Sequence, residues 1–238
     1  FVEDAGDFVI VRDIECIDSD GHVFEKHDEL WISKDLERDE NNNLIQFTTD
    51  LGISYLEHKD DGWFLPPICV TLNYLLKIFD AAVEKQIDGN YITLNKEFKK
   101  ILDMYYPDNP HSSLITYAQN SLVSYGTNEI IHYPKRKDFG SSHGNFDINA
   151  KRESIRLKFD KSQLHRCLLS EDPRNEGIDH FITQFTGGIE PKRLADLGDY
   201  YSWLSGENKP TKLWFAQDRS NQHFNDTCSS WVGCSTYN

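Results

Sequence analysis

The sequence predicts an α+β protein: an antiparallel, β-rich N-terminal meander or small barrel over 1–66, then a mostly helical remainder with a few strands over 67–238. Three observations carry that expectation. Apolar residues alternate with period two early in the chain, the spacing of a strand with one buried face. After Pro66-Pro67 they recur at spacings of three and four, the stripe of an amphipathic helix. Turn chemistry separates the strand-like runs, at Asp18-Ser19-Asp20-Gly21 and Lys59-Asp60-Asp61-Gly62.

Taken in order, Phe8 to Ile17 is rich in β-branched residues. Strict alternation puts Phe8, Ile10, Ile14 and Cys16 on one face, with Asp13 and Glu15 beside Val9 and Val11 on the other. A second strand runs from His22 to Ser33, and 37–43 reads as a polar loop. Further strands are expected at 44–49, at 53–57 and at Trp63-Phe64-Leu65. A helix then carries Ile68, Leu72, Leu75, Leu76, Phe79, Ala82 and Val83 on one face and ends at Asp88-Gly89-Asn90. Thr93 is placed to cap a second helix with Leu94, Phe98, Ile101, Leu102 and Tyr105 inward. Ser112 or Ser113 caps a third, through Val123. Strands follow at 129–133 and 154–160, and helices near 162–169, 176–186 and 191–204. The last buries Leu194, Leu197, Tyr201 and Leu204; a strand near 212–216 and an irregular tail complete the chain.

Composition bounds the function. With 38% apolar and 13% aromatic residues, the chain has the material for a packed core rather than a disordered coil. No run approaches the ~20 apolar residues of a spanning helix. The richest stretch, 66–83, is broken by Asn73, Lys77 and Asp80, so no membrane partner is expected. Five cysteines, an odd number and widely spaced, make no disulfide scaffold, although Cys228 and Cys234 are near enough to close a small loop. A sequon at Asn225-Asp226-Thr227 points toward secretion, while the cysteine usage points to the cytoplasm, which is the favoured location. The chain opens on Phe1, so a preceding segment is expected to have been removed or left out.

Charge is polarised. Residues 1–66 hold eighteen acids against five bases, a net of −13 out of a total of −14. Asp13, Glu15, Asp18 and Asp20 are the candidate partner-binding residues there, and the expected partner is another protein with a basic surface. The alternative is a solvated acidic face that keeps the protein soluble. One basic concentration opposes it: between Lys135 and Lys161 eight bases meet four acids. Within it Lys135, Arg136, Lys137, Ser141, Ser142 and Arg152 form a candidate anion-binding set, because glycines orient backbone N–H groups and the bases supply charge. His143 is the candidate acid or base for a nuclease-like enzyme acting on a phosphodiester, and nucleic acid could bind only through this loop.

A third candidate is Cys228, near His223, as a hydrolase nucleophile. Walker A, dinucleotide-binding, zincin, paired C-x-x-C and nucleophile-elbow motifs do not occur in the sequence. No cofactor or metal site is therefore expected. Residues 16–27 brush against a calcium-loop pattern, but Cys16 and His27 stand where that loop needs acids, so the segment reads as a hairpin turn. The leading expectation is a non-enzymatic interaction or assembly protein.

Overall fold

A computed structural model describes residues 1–35, 38, 40–43, 66–105, 121–124, 129–132, 155–158, 179–205 and 227–229. It is an α+β fold. The N-terminal sheet is antiparallel, with β1 (Val2–Ala5), β2 (Phe8–Ile17) and β3 (Val23–Ser33) in that order. The strands expected at 44–49, 53–57 and 63–65 lie outside the described residues.

β2 and β3 correct the strict alternation. Their register is constant from Phe8↔Ser33 to Cys16↔Glu25, but Asp13 and Asp28 drop out of the ladder between Arg12↔Glu29 and Ile14↔His27. Asp13 has a φ of 60°, a left-handed conformation that Asp tolerates better than most residues. The inward parity changes there. Val9 and Val11 are inward before it and Ile14 and Cys16 after it, all fully buried. On β3 Leu30 and Ile32 pack inward, and beyond Asp28 the partners of Ile14 and Cys16 are His27 and Glu25. Phe8 and Ile10 therefore do not share a face with Ile14 and Cys16, and Val9 and Val11 are core residues. One left-handed residue lets both halves of the hairpin place apolar side chains in the same core.

Helix α1 (Ile68–Ala82), which begins directly after the extended Pro67, belongs to that core. It is buried nearly all round: Val70, Tyr74 and Ile78 are covered as well as the expected stripe. The reason is that β1, β2, three further helices and the β-hairpin that follows surround it. The helix stops at Ala82, not near residue 88, because Val83 turns extended and enters β4 (Val83–Ile87). Asp88 and Gly89, with φ values of 48° and 76°, form the tight turn into β5 (Asn90–Leu94). Thr93 is thus a strand residue. The cap of α2 (Lys96–Met104) is Asn95, whose side-chain oxygen accepts from the N–H groups of Glu97 (3.0 Å) and Phe98 (3.3 Å).

A second antiparallel sheet has the order β8-β7-β6-β9. Its strands are β6 (Ser121–Ser124), β7 (Glu129–His132), β8 (Ile155–Lys158) and β9 (Thr227–Ser229). Where the helix expected through Val123 reaches the described residues it is a strand instead, because 122–124 hydrogen-bond to β7 on one side and β9 on the other. The C-terminal region is likewise not wholly irregular. The helix expected at 162–169 and the strand at 212–216 fall outside the described residues.

Two helices, α3 (Asp179–Thr186) and α4 (Pro191–Ser205), are joined at Gly187-Gly188. Gly187 has φ of 70°, and a Cβ there would lie 2.7 Å from the Cβ of Cys16, so only glycine fits. Ile17 N–H donates to Gly187 O at 2.8 Å, tying this turn to β2. In α4, Tyr200 joins Leu194, Leu197 and Tyr201 in the core, and Leu204 is only partly buried. Tyr200 packs with Phe79, Tyr91 and Trp203 into an aromatic cluster linking α1, β5 and α4.

Candidate functional site

The hairpin of β2 and β3 carries charge of two kinds, and the partners of each acid separate them. At the open end, Arg12 pairs with Glu3 at 2.9 Å and Glu29 at 3.0 Å. Lys34, with a side chain only 8% exposed, bridges Asp4 at 2.6 Å and Glu97 at 3.2 Å, joining the sheet to the first turn of α2. Burial opposes the lysine charge, yet its hydrogen bonds to the two carboxylates outweigh that and raise its pKa above the ordinary value. These acids are structural.

The turn end is different. From Asp13 to Asp28 six acids accompany one lysine, Lys26. That ammonium lies 3.2 Å from Glu15 and 3.6 Å from Asp28. Asp13 and Asp20 have no ion pair among the described residues and are exposed. Asp18 has a fixed structural task. One of its oxygens accepts the N–H groups of Asp20 and His22, both at 2.9 Å, which locks the turn. The His22 N–H bond, the largest effect, outweighs burial with help from the Asp20 N–H and holds this carboxyl below its ordinary pKa.

Asp18, Asp20 and His22 each offer a ligand atom, all within 4.8 Å of one another. Their chemistry fits a resident cation poorly. Calcium takes six to eight oxygens, and one Asp18 oxygen is already engaged by two N–H donors. The arrangement is a turn lock.

A second polar group is turned inward. Glu25 and His27 approach to 2.7 Å on the α1 side of the sheet, with side chains 10% and 21% exposed. Beside them Cys16 and Cys69 are buried free thiols. Burial first, then a hydrogen bond to Cys16 and the charge of Glu25, pushes the Cys69 thiol well above its ordinary pKa. The buried His132 is another group the sequence did not single out. Its ring stacks on Phe24 at 5.6 Å and its Nε2–H donates to Gln184 O at 3.3 Å.

The structure brings Asp13, Glu15, Asp18 and Asp20 together on one hairpin. It adds Asp28, which the acid-rich run from Glu25 to Glu29 could have signalled. Cys228 sits in β9 with its backbone opposite Val123. Lys135, Arg136, Lys137, Ser141, Ser142, His143 and Arg152 lie outside the described residues. Two other bases of that stretch, Arg156 and Lys158, both turn to Glu129, at 3.2 Å and 2.8 Å. Among the described residues no helix is long and apolar enough to cross a membrane. Comparison with protein-family models, with curated proteins and with solved structures returned no match.

Proposed function

We propose that this protein is a non-enzymatic interaction or assembly protein, and that the turn end of the β2–β3 hairpin docks a basic surface on a protein partner. The observation that supports this reading is the single lysine among six acids between Asp13 and Asp28. Glu15 and Asp28 share that lysine, and Asp13 and Asp20 are exposed beside them. Carboxylates within a Debye length of one another, about 10 Å at 0.1 M salt, add their potentials. Such a field draws in cationic partners and repels nucleic acid and anionic lipid. The structural acids at the other end of the sheet, matched by Arg12 and Lys34, contribute little to it.

The test removes charge and keeps shape. A variant combining Asp13→Asn, Glu15→Gln, Asp20→Asn and Asp28→Asn leaves Asp18 in place, so the turn lock survives. Calorimetric titration with an arginine- and lysine-rich peptide should show binding to the wild type that weakens with salt. The variant should bind on the order of 10-fold more weakly, because each contact between close opposite charges contributes about 0.2–1 kcal/mol. Equal affinities for the two proteins, at matched circular dichroism spectra, would sink the reading.

A further inference from the structure

Cys16 of β2 and Cys69 of α1 meet across the interface of these two elements, and we propose that they constitute a disulfide site. Two-electron oxidation joins the sheet covalently to the central helix there. Independent contacts place both residues at one point. A Cβ built on Gly187 would lie 2.7 Å from Cys16 Cβ, 2.9 Å from Cys16 Sγ and 2.9 Å from Cys69 Cβ. Asn73 Nδ2 donates to Cys69 O at 2.9 Å and lies 3.6 Å from Cys16 Sγ. Both side chains belong to one core cluster, and neither residue is exposed. A disulfide needs Cβ atoms about 3.5–4.5 Å apart, a span compatible with two side chains converging on one glycine.

Two opposing effects set the reactivity of the pair. Cys69 lies in the first turn of α1, where the helix terminus and the Val70 N–H favour a thiolate. Burial favours the thiol and wins in the closed fold, so the reaction waits on opening of the β2–α1 contact. Once open, Cys69 loses its proton to solvent and its thiolate attacks one sulfur of oxidised glutathione, expelling one glutathione thiolate. The deprotonated Cys16 then attacks the Cys69 sulfur of the mixed disulfide and expels the second. Two protein thiols are oxidised and one glutathione disulfide is reduced to two glutathione thiols. The link confines the unfolded chain between positions 16 and 69, which is where a disulfide acts most strongly. This inference is independent of the docking surface.

The test is oxidative refolding of the full chain, since unfolding exposes every thiol and burial is then no barrier. The chain is diluted from denaturant and reductant into mixtures of oxidised and reduced glutathione, alkylated, and digested without reduction. A peptide joining Cys16 to Cys69 is expected, in protein with the circular dichroism of the reduced form. Its melting temperature should rise by on the order of 10 °C, fall back on reduction, and show no such rise in Cys16→Ser or Cys69→Ser chains. Refolded protein with Cys16 and Cys69 both alkylated overturns the proposal. So does pairing of either with Cys167, Cys228 or Cys234, or a 16–69 link found only in chains that have lost the native spectrum.

Discussion

Asp13 shows how much one residue can decide. Its φ of 60° turns the strand so that odd positions before it and even positions after it both enter the core cluster. A left-handed conformation costs most L-residues roughly 1–2 kcal/mol, which glycine escapes and a β-branched residue feels in full. Urea unfolding should therefore rank Asp13→Gly at or above the wild type and Asp13→Val below the glycine variant by about 1–2 kcal/mol. Equal midpoints for valine and glycine would show that the residue is not held at positive φ. The docking test uses Asn at this position because Asn shares the tolerance of Asp. The alternation rule misplaces Phe8 and Ile10 because it assumes an unbroken pleat, and a positive φ at an aspartate leaves no mark in hydrophobic periodicity.

At the scale of elements, the segment between α1 and α2 separates local from distant causes. Asp88-Gly89 is hairpin chemistry, yet the residues before it, Val83 to Ile87, carry no clear alternation. They form a strand because β5 pairs with them and Asn95 N–H closes the base of the hairpin on Ala82 O at 2.8 Å. The shift moves the helix cap from Thr93 to Asn95. Asn95→Ala leaves the Glu97 and Phe98 N–H groups without their cap and should lower stability by about 1 kcal/mol, read as a drop in urea midpoint at unchanged slope. Thr93→Ala should change it by less than half as much, since Thr93 is a strand residue that caps nothing.

Across the whole molecule, His132 joins three parts: its own strand β7, Phe24 of the N-terminal sheet, and α3 through Gln184. Burial pushes its imidazole down to about 4 from the usual 6.5, the bond to Gln184 offsetting only part of the effect. A folded-state pKa below the unfolded one means that stability is intact above about pH 6.5 and is lost as pH falls toward 4. In that window the unfolded chain takes up the proton first. The difference corresponds to up to ~3 kcal/mol. His132→Phe keeps a ring against Phe24 and removes the titration. The stability gap between the two proteins should be constant above neutrality and move in favour of the variant below pH 6.5. Parallel pH curves would show that His132 is accessible to protons in the fold.

Local spacing was enough to establish the α+β class, the strands at 8–17 and 23–33, the helix beginning at Ile68 and those ending the 179–205 segment. The spacing of apolar side chains within ten or fifteen residues is a local property, and so is the acidity that marks the hairpin. Tertiary structure alone decided the change of face at Asp13, the β4–β5 hairpin, the strand at Thr227–Ser229 and the meeting of Cys16 with Cys69. Each depends on a contact with a distant segment, and the free energy of such a contact comes from a partner that no local window contains.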